Sequence, residues 1–348
     1  MNVTEIVFMT LFVLVVTPVL LLVFRALALK FGLVDVPDSR KIHTSAIPVV
    51  GGLVLFIVAT VLLLMTDNVN QFTFYLMMAS GFVVVVGLMD DVFGLSAFWR
   101  FVVQIVASLV VIYFSSVQLV SFGFLLSPSW DLQLGVMAVP ITIFGVVGVI
   151  NALNMADGID GLAAMTFVLP VLVIGLLSLD GRMNLWLLLL IASVVVFVLF
   201  NKSKTYKVFL GDSGSLLLGF VLAWLLVYFS QGSNAIMKPV TALYLVALPV
   251  YDTIFVMLKR MLAGGSPFKP DKTHLHHLFL SYGLSQTKAL YAMINVQLFF
   301  IVLGIVFSVL AVPEYIQFYC FVLIAVVYFI LMKSIWNNRN IESGIVDE

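Results

Sequence analysis

Apolar residues in this chain do not alternate with polar ones; they run together in blocks. Eleven blocks stand out, at 5–25, 47–66, 71–89, 98–120, 132–151, 161–178, 184–200, 214–230, 238–258, 289–311 and 313–333. About 20 apolar residues in a helix cross a bilayer's hydrocarbon core, whereas a membrane barrel needs segments of about ten that alternate apolar and polar. The pattern therefore predicts an all-α, polytopic bundle of about 11 transmembrane helices, with its termini on opposite sides. The first block has no basic residue before it and Arg25 and Lys30 at or just beyond its end, so a retained helix is expected rather than a cleaved signal peptide.

Composition agrees: of 348 residues 63% are hydrophobic and 10% charged, with a mean hydropathy of +1.21, against roughly a quarter charged in soluble domains. Seventeen basic residues balance seventeen acidic ones, so no net field gathers nucleic acid, which argues against a nucleic-acid binder. Cys320 is the single cysteine, which rules out an internal disulfide and a cysteine-rich metal site. Where Lys and Arg fall sets the orientation. All of the seventeen except Arg182 and Lys238 lie in the gaps after blocks one, three, five, seven and nine, or at and beyond the end of block eleven. Basic loops stay in the cytoplasm, so the N-terminus is expected outside and the C-terminus inside.

The gaps expected outside, such as 66–70 and 179–183, are mostly short turns, while 26–46 and 259–288 are long and carry charge, Pro, Gly and His. Loops 26–46, 90–97, 152–160, 201–213 and 259–288 are expected to form one active face of a single domain. No linker or internal repeat interrupts the chain.

Four polar constellations fall on that face. Asp90-Asp91 places two carboxylates side by side, where mutual repulsion favours a proton or a cation; Mg2+ commonly takes one or two carboxylates together with substrate phosphates. The plain alternative is a solvated helix end. In Asp157-Gly158-Ile159-Asp160-Gly161 the acids are three apart, which would share a face if helical, and Asn151 and Asn154 have the same spacing upstream. Polar side chains at a membrane helix end are costly to keep without a use. Around Asp212, Gly211-Asp212-Ser213-Gly214-Ser215 opens a helix as an anion site does, or serves as a plain N-cap. His274, His276 and His277 lie among Lys259, Arg260, Lys269 and Lys272; without an acid at zinc-motif spacing they read as donors to phosphate or sugar oxygens. Asp252, inside the block 238–258, is expected either to line the site or to pair with Arg260.

Taken in order, these motifs resemble the polyprenyl-phosphate N-acetylhexosamine-1-phosphate transferases. The resemblance rests on Gly32-Leu33-Val34-Asp35-Val36-Pro37 with Arg40-Lys41, Ile47-Pro48 and Gly51-Gly52, on Asp90-Asp91, on the run from Asn151 to Gly161, on Tyr206 to Ser215, and on Ser266 to His277. It implies eleven helices with the active face towards the cytoplasm of a bacterial inner membrane. It implies transfer of N-acetylglucosamine 1-phosphate from UDP-N-acetylglucosamine to undecaprenyl phosphate, releasing UMP, as the first membrane step of a surface polysaccharide. It also implies Mg2+, with Mn2+ able to stand in for it, and leaves room for a homo-oligomer. On that footing Asp212 with Asp90 or Asp91 is expected to hold the metal, Asp90 or Asp91 to deprotonate or orient the lipid phosphate, and Asp157, Asp160, Asn151 and Asn154 to shape the nucleotide-sugar site. His274, His276, His277, Arg260, Lys41, Arg100 and Lys207 are expected to meet substrate. Two departures bear on specificity: Lys259-Arg260 is followed by Met261-Leu262-Ala263-Gly264-Gly265 where relatives carry more basic residues, and His274-Leu275-His276-His277 differs from the adjacent histidines of the peptidoglycan branch. Another UDP-N-acetylhexosamine stays open as donor. A secondary transporter is the rival of a different class, though its sites belong near the bilayer midplane in repeated halves.

Overall fold

The structure is a computed structural model that describes residues 3–36, 46–178, 180–266 and 273–343, side chains at 182 and 337–343 excepted. All eleven apolar blocks contain helix. Along the chain come α1 (Val3–Phe31), two short strands β1 (Val34–Asp35) and β2 (Ile47–Pro48), α2 (Gly51–Met65), α3 (Gln71–Phe93), α4 (Ala97–Ser115), α5 (Ala138–Ala156), α6 (Leu162–Leu177), α7 (Gly181–Asn201), α8 (Gly211–Ser230), α9 (Pro239–Leu245), α10 (Ala247–Leu262), α11 (Leu275–Ser281), α12 (Gln286–Val309) and α13 (Glu314–Ser343). Among the described residues, eight helices are long and apolar enough to cross a membrane, and α9 with α10 makes a ninth if one bent span is counted. At 15 and 16 residues, α2 and α6 are apolar but shorter than a full crossing.

Local chemistry explains the boundaries. Asn70 and Thr73 form a reciprocal cap at the start of α3, with bonds of 2.9 and 3.0 Å, and Gly94 ends that helix in the left-handed region, its N–H on the Asp90 carbonyl. The block 238–258 is not one straight helix: α9 and α10 meet at 77°. Pro249 has no N–H to give to the Leu245 carbonyl, and its ring would clash there. Gln297 of α12 takes that carbonyl instead.

The chain gathers into two compact units, the described residues of Met1–Val120 with Leu134–Ile236, and those of Ser121–Gln133 with Met237–Glu348. In the first, α8 is the axis, buried along nearly its whole length and packed on α2, α3, α5 and α6. Gly87 of α3 lies so close to the start of α8 that a β-carbon there would collide with the Ser213 backbone. The starts of α2 and α8 are laced together: Phe209 N–H bonds to the Pro48 carbonyl at 2.8 Å, and Gly51 and Gly52 donate to Phe209 and Leu210 at 3.0 and 3.1 Å. Short extended segments, invisible in a hydropathy pattern, thus fix where α8 begins.

In the second unit, α12 packs on α9, α10 and α11, and α13 on α9 and α10. Tyr244 and Tyr251 donate to the Gln317 and Phe321 carbonyls at 2.7 Å each. The segment 121–133 joins this unit through Phe124 N–H to Glu314, which also pairs with Lys238 at 3.2 Å.

Candidate active site

Asp90 and Asp91 occupy the last turn of α3, and successive helical positions point about 100° apart, so the two carboxylates part company. Asp91 turns to the start of α8. Its Oδ1 accepts the Asp212 N–H at 2.7 Å and its Oδ2 the Ser213 N–H at 3.2 Å, so that a side chain of one helix caps the free N–H groups of another. Gly211 makes this contact feasible, because φ there is +74° and a β-carbon would meet both Val49 and the Asp91 carboxylate.

Asp90 faces Arg100, one helix further on. Nη1 of Arg100 lies 3.1 Å from Asp90 Oδ2 and 3.8 Å from Asp212 Oδ1, so two carboxylates share one guanidinium nitrogen. The Asp90 side chain is 5% exposed and that of Asp212 35%, so Asp212 is the more accessible of the two. Asn154 of α5 donates to Asp212 Oδ1 at 2.7 Å and to Ser215 at 2.8 Å. Asn151, one turn back, bonds to Gln104 of α4 at 2.8 Å and to the Val147 carbonyl; it faces a helix neighbour where a place in the sugar site is expected from sequence.

Residues 157–161 form a turn, not a helix, and this separates the two acids. Asp160 pairs with Lys207 at 2.6 Å, the ammonium also lying over the Phe209 ring. The Asp157 side chain is exposed at the surface, but its carboxyl stands among protein atoms and other carboxylates. Lost hydration first, then the charges of Asp212, Asp91 and Asp160, push its carboxyl up to about 8. Sequence reading thus finds the acids of this cluster but misses its cross-links: Asp91 on α8, Arg100 between two acids, Lys207 on Asp160. Gln104 is missed too, although a lone amide in an apolar block is itself a signal.

These side chains suit phosphate chemistry: carboxylates able to hold a cation, a guanidinium, an ammonium and an amide in one cluster. The family model described as glycosyl transferase family 4 matches residues 73–230, a span that runs from α3 through α8 and contains every residue of this cluster. Similar curated proteins are the undecaprenyl-phosphate alpha-N-acetylglucosaminyl 1-phosphate transferases of Salmonella typhi, 35% identical over 92% of this chain and 89% of the relative, and of Yersinia pestis, 35% identical over 96% and 92%. The chain belongs to glycosyl transferase family 4. It is a phosphoglycosyl transferase, and its apolar helices make it a multi-pass membrane enzyme. The Haemophilus influenzae relative of the same name is likewise 35% identical, over 91% of each chain.

The second unit holds the histidines. His274 Nδ1 lies 2.8 Å from Asp252 Oδ2, while Asp252 Oδ1 accepts the Leu275 N–H at 2.9 Å and the Tyr328 hydroxyl at 3.0 Å. Asp252 thereby anchors the start of α11. His276 is 2% exposed, stacks with His274 and His277, and has no hydrogen-bond partner at either nitrogen among the described residues. Burial, then His277, lowers it to about 3, so it is uncharged at neutral pH. His277 is half-buried and Arg260 is buried at the end of α10. Lys41 falls outside the described residues.

Proposed function

We propose that this transferase moves N-acetylglucosamine 1-phosphate from UDP-N-acetylglucosamine to undecaprenyl phosphate, giving undecaprenyl-diphosphate-N-acetylglucosamine and UMP. The observation that carries the reading is the meeting of Asp90 and Asp212 on one guanidinium nitrogen at the start of α8, in a chain whose relatives bear that activity in their names. Both substrates are anions, so the chemistry is chiefly positioning and charge stabilisation.

Mg2+ fits these residues on two counts. Among the described residues, buried Asp90 Oδ2 has no hydrogen bond, only the ion pair to Arg100, which leaves lone pairs free. No three His, Cys, Asp or Glu side chains gather as a closed metal cluster among the described residues; two carboxylates completed by phosphate oxygens and water are the usual arrangement for this ion. Asp212 and Asp90 would hold it. When bound, Mg2+ or Mn2+ offsets the charge of the donor's diphosphate and of the phosphoryl group in transit.

The rest is done by the chain. A lipid phosphate oxygen forms a bond to the β-phosphorus of the donor, and the bond from that phosphorus to the bridging oxygen breaks, its electron pair leaving with UMP. Asp90, buried beside Arg100, orients the attacking phosphate. Asn154 holds Asp212 in register, and Asp91 secures the backbone that carries it. Asp157, its carboxyl raised by lost hydration and by the neighbouring acids, and Asp160 with Lys207 border the nucleotide-sugar site. We assign Lys41, Arg260 and His277 to the phosphate contacts that the family resemblance implies, and His274 and His276 to the shape of their loop. The distribution of Lys and Arg supports an active face towards the cytoplasm of a bacterial inner membrane.

A donor labelled in both the sugar and the β-phosphorus tests the reaction. Both labels should pass to the lipid in equal amounts; transfer of the sugar label alone would show a glycosyl transfer with UDP as leaving group, and would overturn the reading.

A further inference from the structure

Asp212 is held from two sides, by Arg100 of α4 and Asn154 of α5, both directed at its Oδ1. Gln104 follows Arg100 by four residues and Asn151 precedes Asn154 by three, spacings that keep each pair on one face of its helix. Where the upper pair converges on Asp212, the lower pair meets directly: Asn151 Nδ2 donates to Gln104 Oε1 at 2.8 Å. Gln104 is 1% exposed, and its Nε2 has no partner among the described residues. Two leucines would fill such a place without leaving a buried donor unmet, so packing alone does not explain two amides inside a membrane helix pair.

We propose that the Gln104–Asn151 bridge is a positioning device for the reaction. It touches neither substrate. By fastening α4 to α5 one turn behind the site, it sets the spacing at which Arg100 and Asn154 reach the same oxygen of Asp212, and so fixes the direction in which that carboxylate presents its free lone pairs. Asn151 therefore acts through Asn154 and Asp212, not on the sugar. The inference rests on Asp212 being the ligand-facing carboxylate of the proposed reaction.

The test compares three forms of the full-length protein in detergent: wild type, Gln104→Leu/Asn151→Leu, and the exchange Gln104→Asn/Asn151→Gln. Removing both partners together leaves no orphaned amide, so the leucine pair is expected to melt at or above the wild-type temperature. Because a displacement of about 1 Å costs on the order of 100-fold, its kcat should fall ~10- to 100-fold and its half-saturating Mg2+ concentration rise ~10-fold, with the KM for undecaprenyl phosphate nearly unchanged. Mn2+ binding without substrates should weaken in parallel, and the exchange should restore most of the loss. A leucine pair with wild-type kcat and Mg2+ requirement would overturn the proposal, as would a loss of activity that tracks a lower melting temperature while the Mg2+ requirement stays put. If the wild type itself releases no UMP, the functional reading fails separately, and Mn2+ affinity alone decides: equal affinity in wild type and leucine pair rules the bridge out.

Discussion

Two neighbouring aspartates do different work because a helix turns between them. Asp91 has both oxygens on backbone N–H groups of α8, while Asp90 keeps a buried oxygen for the ion pair with Arg100. Asp212→Asn keeps the bond from Asn154 within reach but removes the charge that faces ligand; turnover at saturating Mg2+ should fall ~100-fold or more, with the melting temperature held. Asp157 gives a pH signature. Its carboxyl is raised to about 8 in the folded protein against an ordinary value of 3.8, so between those values the folded state binds more protons than the unfolded one. Stability in EDTA should therefore decline as pH rises through that window. Asp157→Asn should flatten the decline in a melting-temperature series from pH 5 to 9, and an unchanged slope would exclude Asp157 as its source. The acids themselves were legible as residue types in the right loops. Their division of labour was not, since Asp91 finds its partners more than a hundred positions away.

At the scale of elements, α8 decides the geometry. Its start is bonded to the segment before α2, capped by Asp91, and pressed against Gly87. Gly87→Ala would force α3 and α8 apart; a cost of about 1–3 kcal/mol is expected for such overpacking, read as a lower melting temperature together with a loss of turnover larger than the unfolded fraction accounts for. In the second unit, Asp252→Asn exchanges a charged acceptor for a neutral amide where His274, Leu275 and Tyr328 converge. Amide exchange over 274–281 should quicken while that of α12 does not. Hydropathy made the apolar helices legible because each is a continuous block. It could not reveal the pairing of 48–52 with 209–210, which is backbone hydrogen bonding, nor the 77° break, although Pro249 marks its place. The pairing of Asp252 with His274 was equally hidden, since Arg260 lay closer in sequence on the same helix.

For the whole molecule, the family match across 73–230 takes in the whole cluster from Asp90 to Asp212. The expected orientation has its own check: in a Cys320→Ser background, a membrane-impermeant maleimide should label Arg182→Cys in intact cells, and Lys204→Cys only after lysis. The reverse pattern would invert the topology and place the acids outside the cytoplasm. Release of UMP reads the reaction itself. Purified protein given undecaprenyl phosphate, Mg2+ and UDP-N-acetylglucosamine, beside UDP-N-acetylgalactosamine, lipid-free and EDTA controls, should release UMP only with lipid and divalent cation present, and fastest from the first donor. Turnover of the second donor alone would keep the reaction and change the sugar; folded protein that releases UMP from neither would rule out sugar-phosphate transfer to this lipid.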